Sequence, residues 1–188
     1  LDLPRIGNLS LKIDGVLNKR DGTTTNPMDG EADFNAWDKR GIRATALWQP
    51  RDGIDLTYAY DNAYDATTPY HAQLLVPGPL ASVLQRAGAS LERRDSSILG
   101  GEQQESVGKT SGHTLVLDWT LGDDLKLKSI SAYRDLEQGQ FDQGFIDAIS
   151  TFAANRPFAR YSLAQVKQHQ YSEELQLVGR TDQVQYAA

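Results

Sequence analysis

The chain has no cysteine and only three histidines in 188 residues. Without a thiol, disulfides, thiolate zinc sites and cysteine nucleophiles are excluded together. His71, His113 and His169 show neither i,i+4 spacing nor a His-Glu-x-x-His pattern, so they read as ordinary polar residues. No apolar run approaches the ~20 residues of a membrane helix. The opening Leu-Asp-Leu-Pro-Arg has neither the charged start nor the apolar centre of a signal peptide. A basic excess is missing too: 19 Lys and Arg face 25 Asp and Glu, for a net charge of -6, which speaks against a nucleic-acid partner. Asp123-Asp124 and Glu173-Glu174 are carboxylate pairs by adjacency only, and Gly100-Gly101 has no phosphate-binding frame around it. The sequence therefore offers no catalytic set, no metal ligands and no cofactor motif. A non-enzyme without cofactors is expected.

What the chain does have is alternation. Leu115, Leu117, Trp119 and Leu121 fall on one side of a period-two pattern, with Thr114, Val116, Asp118 and Thr120 on the other. Gly122-Asp123-Asp124 supplies a tight turn, and the chain leaves through Leu125 and Leu127 towards Tyr133. At 129–132 the apolar row shifts by one residue, which a β-bulge would explain. The same unit recurs on both sides. Leu9, Leu11, Ile13 and Leu17 mark a first strand, and Ile42, Ala44, Ala46 and Trp48 a second. Pro50-Arg51-Asp52-Gly53 makes a turn into a third strand bearing Ile54, Leu56, Tyr58, Tyr60 and Tyr64, so a hairpin is expected over about 40–65. Val166 to Val178 makes a sixth strand, Gly179 to Asp182 a turn, and 183–188 the start of a seventh that stops short, as if the chain were cut there.

The connections alternate strictly between long and short. In an up-and-down sheet this gathers every tight turn at one end and every long loop at the other. Outer-membrane barrels do so systematically, with tight periplasmic turns and long extracellular loops. A mean hydropathy of -0.50 does not oppose this, because alternating strands average out as mildly polar. The long excursions are 23–35, 66–109 and 139–165. In the second, Leu80, Val83, Leu84 and Ala87 have helical spacing but are flanked by proline and glycine, which favours a loop with one helical turn. Residues 147–154 allow another such turn.

The expected fold is all-β: an antiparallel up-and-down meander of about seven strands, part of one transmembrane β-barrel domain spanning 1–188. Arg43, Thr45, Asp55, Thr57, Asp61, Asp118 and Glu174 are expected to face the lumen. Ile42, Trp48, Leu56, Tyr58, Leu115, Leu117, Trp119, Leu175 and Leu177 are expected to face lipid. Trp48 and Trp119, each just before a short turn, would belong to an interfacial girdle.

Three segments carry a resemblance to a known family: Asn-Lys-Arg-Asp-Gly at 18–22, SISAYRDLEQ at 129–138 and QYSEELQLVG at 170–179. In order and spacing the chain resembles the barrel of a TonB-dependent outer-membrane receptor. Gln176 stands where such receptors often carry a basic residue. The resemblance implies a bacterial outer-membrane location and uptake of a scarce nutrient such as a ferric siderophore, cobalamin or glycan, driven through TonB. It implies a parent protein whose N-terminal plug domain fills a 22-stranded barrel; this chain shows neither plug nor TonB-contacting box. Implied partners are outer-membrane lipid, the plug, the TonB complex through the parent protein, and a small-molecule ligand.

Ligand contact is expected at the long-loop end, with Tyr70, His71, Arg86, Arg93 and Arg94 as candidates, since arginine binds carboxylate or phosphate through a planar fork. The alternative is a soluble β-sandwich or β-sheet module, in which Tyr58, Tyr60 and Tyr64 form a platform for carbohydrate.

Overall fold

A computed structural model describes residues 1–71, 103–142, 162–180 and 183–187. They form one seven-stranded antiparallel sheet in the order of the chain: β1 (Leu9–Arg20), β2 (Trp37–Arg51), β3 (Ile54–Thr67), β4 (Ser106–Gly122), β5 (Leu125–Asp142), β6 (Ser162–Arg180) and β7 (Gln185–Ala187). The described residues contain no helix, and the sheet is an up-and-down meander that does not close on itself.

Both tight hairpins arise from local chemistry. Arg51 pairs with Ile54 across Asp52-Gly53, and Gly122 pairs with Leu125 across Asp123-Asp124. Gly53 takes a φ of 77°, a left-handed conformation that costs a side-chain-bearing residue ~1–2 kcal/mol. Next to each turn the register steps by one residue, between Trp48 and Arg51 and between Thr120 and Gly122. The sequence pattern missed a third turn of this kind. Residues 1–6 fold back on the outer edge of β1 through Gly7-Asn8, with bridges Asp2 to Lys12 and Ile6 to Leu9 that differ by the same single step. Leu3 N donates to Leu11 O at 3.0 Å and Ile13 N to Leu1 O at 2.9 Å.

Two expectations need correction. The 129–132 segment contains no bulge: its register with β4 and β6 runs unbroken. Ser129 and Ser131 simply continue the face of Leu127, and Ile130 and Ala132 lie on the other. The last short connection was expected at 179–182, but β6 continues through Arg180 and β7 begins at Gln185. Gly179 is a strand residue, paired with Leu125 on one side and Tyr186 on the other. A Cβ there would overlap the Tyr186 ring, so the glycine provides space instead of a turn. The helical turns considered at 80–87 and 147–154 lie outside the described residues.

The registers sort the side chains into two faces. Arg43, Thr45, Asp55, Thr57, Asp61, Asp118 and Glu174 share one face; Ile42, Trp48, Leu56, Tyr58, Leu115, Leu117, Trp119, Leu175 and Leu177 share the other. On the polar face, ion pairs link neighbouring strands, Lys39–Asp65 at 2.9 Å and Lys128–Asp118 at 3.4 Å, and a third, Arg134–Asp61 at 2.6 Å, spans from β5 over β4 to β3. The Arg134 guanidinium reaches Asp61 by crossing Gly112, where any Cβ would strike it. The apolar face has no covering layer among the described residues. Trp48 is 49% exposed, Ile42 51% and Leu175 65%. Trp48 and Trp119 occupy adjacent cross-strand rows, not the same one, with Trp119 nearer the turns.

Candidate functional site

Burial is concentrated at the long-loop end. Residues 21–36 connect β1 to β2 by a small folded hairpin, in which Phe34 N donates to Thr24 O and Thr23 N to Phe34 O, both at 2.9 Å. Asn26 braces its tip. Its amide nitrogen donates to Ala32 O at 3.1 Å, and its Oδ1 accepts from Met28 N at 3.2 Å, an Asx turn. Asn35 then takes a left-handed φ of 65°, which asparagine tolerates better than most residues. Its carbonyl accepts from Arg20, whose guanidinium lies over the Trp37 ring. Phe34 is left fully buried, together with Ala66, Thr24, Asn26 and Thr68.

This hairpin grips the chain where it leaves β3. Thr68 Oγ1 donates to Asp33 O and accepts from Ala36 N, each at 2.8 Å, while Thr68 N donates to Ala36 O at 3.0 Å. Asn35 N donates to Pro69 O at 3.1 Å. The hairpin also reaches the chain entering β4, since Gln103 N donates to Glu31 Oε2 at 2.7 Å.

Two candidate contact residues stand on this base. Tyr70 is 88% exposed. The His71 ring is half-buried and tilted against Phe34, with centroids 5.2 Å apart. Arg86, Arg93 and Arg94 lie outside the described residues. The surroundings are acidic: Asp21, Asp29, Glu31, Asp33 and Glu105 occur here, and neither 21–36 nor 66–71 holds a lysine or arginine.

Sequence reasoning missed Glu31 and Thr68, whose roles depend on partners 72 and 35 residues away. Tyr58, Tyr60 and Tyr64 share the apolar face, as the platform reading requires. There Tyr58 Oη is tied to His113 Nδ1 at 2.6 Å, and Tyr60 leans on the same imidazole with centroids 5.0 Å apart. Among the described residues, no three His, Asp or Glu side chains are grouped to hold a metal ion.

Comparison with protein-family models, curated proteins and solved structures finds no match to this chain. Function must be argued from the geometry.

Proposed function

We propose that the chain is a stretch of wall from a TonB-dependent outer-membrane receptor, which takes up a scarce nutrient such as a ferric siderophore, cobalamin or glycan. The observation that carries this reading is the outline of the apolar area. Moving away from the short turns on that face, and past Arg51 at the turn itself, the first Lys, Arg, Asp or Glu is Lys19 in β1, Arg40 in β2, Lys109 in β4, Asp135 in β5 and Glu173 in β6; β3 has none. Projected through the registers onto β1, these fall at positions 19, 17, 17, 15 and 11. The boundary thus drops four residues over four strand steps to Asp135, and eight over five to Glu173. At ~3.4 Å per residue and ~4.8 Å per strand, that slope is roughly 35–50°. A flat apolar layer crossed by upright strands would be bounded along a row. One crossed by strands tilted 35–45°, as in outer-membrane barrels, is bounded obliquely in this way.

On this reading the apolar face meets outer-membrane lipid and the polar face lines the lumen, against the plug of the parent receptor. The tight turns lie in the periplasm and the Phe34 hairpin outside the cell. TonB acts on the parent protein, not on this segment. The test is folding into lipid vesicles. Leu117→Arg, in mid-layer, should cost ~2–4 kcal/mol, while Asp118→Arg on the opposite face should be nearly neutral. Equal tolerance of both would defeat the lipid assignment and favour the soluble carbohydrate-binding sheet. A plug-like segment encoded upstream in the parent gene would test the receptor class separately.

A further inference from the structure

We propose that residues 21–36 form a clamp in which Glu31 and Thr68 act as positioning residues for the Tyr70–His71 contact point. Three independent attachments join at this place. Thr68 and its carbonyl and amide partners stitch the exit of β3 to Asp33 and Ala36. Asn35 N holds the Pro69 carbonyl, the last backbone group before Tyr70. Glu31 reaches across to Gln103 N, on the segment that leads into β4. The His71 ring rests on Phe34, which the clamp itself buries.

A loop residue as exposed as Tyr70 normally samples many backbone conformations, and ordering it costs entropy when it is used in binding. Here the backbone on its N-terminal side is fixed by four hydrogen bonds, three at Thr68 and one at the Pro69 carbonyl, before any solute arrives. The clamp therefore fixes the backbone from which Tyr70 projects, and a solute meeting it has less ordering to do. That Tyr70 meets a solute rests on the receptor reading above; the clamp does not, so the lipid test and the test below fail independently.

The absence of cysteine makes the experiment clean. A nitroxide on Tyr70→Cys reports this segment alone, in the folded protein in detergent. The expected spectrum is immobilised in the otherwise unchanged chain. Thr68→Val removes both hydroxyl bonds and should release it, as should Glu31→Ala. Glu31→Gln keeps an acceptor oxygen for Gln103 N and should restore the immobilised spectrum, which a role through charge alone would not. Hydrogen exchange at the Thr68 and Gln103 amides should accelerate at least tenfold in the two releasing variants, with β3 amides unchanged as the internal reference. Identical spectra and exchange rates in all four proteins would overturn the clamp. Should a releasing variant fail to fold, Glu31→Cys with Gln103→Cys decides the matter. Cross-linking by a short bismaleimide supports the contact, and two reactive but unlinked thiols refute it.

Discussion

The Phe34 hairpin and the apolar face of the sheet are both built from hydrophobic side chains, yet among the described residues only the hairpin has its hydrophobic side chain covered. Phe34 is 1% exposed, enclosed by its own loop and the exit of β3. Leu175, Ile42 and Trp48 stand in a sheet of seven hydrogen-bonded strands and still show about half or more of their surface. Backbone pairing and side-chain burial are thus separable achievements in this fold. Pairing is complete across the sheet interior, while burial is local to one end. Contiguous exposed apolar surface is in general the kind of surface that meets a membrane or a partner.

The strongest way to break this contrast is inside the hairpin. Phe34→Ala should cost ~3–5 kcal/mol, the usual loss for a buried aromatic. The loss should appear as exchange confined to 21–36 and 66–71, and it should be the same in detergent and in lipid. Next comes Leu117→Arg, whose ~2–4 kcal/mol penalty should depend on a bilayer being present, which the hairpin variant should not. Gly53→Ala tests the turn that joins β2 to β3. Its left-handed φ should make the substitution cost ~1–2 kcal/mol, read from the unfolding midpoint. The smallest effect belongs to the polar face. Arg134→Ala removes the bridge from a half-exposed guanidinium to Asp61, and ~0.2–1 kcal/mol is expected, shrinking further in high salt.

The strands were legible because a pleat has period two and reports itself within a few residues. Ile54 to Tyr64 and Leu115 to Leu121 could be sorted onto faces without knowing their neighbours, and the registers sort them identically. Asp52-Gly53 and Asp123-Asp124 were legible for the same reason: turn chemistry is local. Errors arose where one residue type serves two purposes. Gly179 looked like a turn glycine but makes room for the ring of its cross-strand partner Tyr186, and Ile130 looked like a broken row but is an apolar residue on the polar face. Residues 1–6, with Pro4, are too short for a pattern to stand out, and they pair with β1 through their backbone. The Phe34 hairpin was hidden most thoroughly. Its composition, TTTNPMDGEADFN, is that of any solvated loop, and its folding depends on Thr68 and Gln103, which no local pattern connects to it.

The repeated step beside the tight turns has a consequence for how such a wall can change over evolutionary time. Gly7-Asn8, Asp52-Gly53 and Asp123-Asp124 each close a pair of strands with the same two-residue loop and the same single-residue offset. Two strands and one such turn therefore form an interchangeable module that returns the chain to the side it left. Duplicating or deleting one module leaves every later side chain on its original face and every later loop on its original side. Adding a single strand would instead exchange inside for outside along the remainder of the chain. Length variation in this architecture should accordingly come in even steps, with the hairpin as its unit.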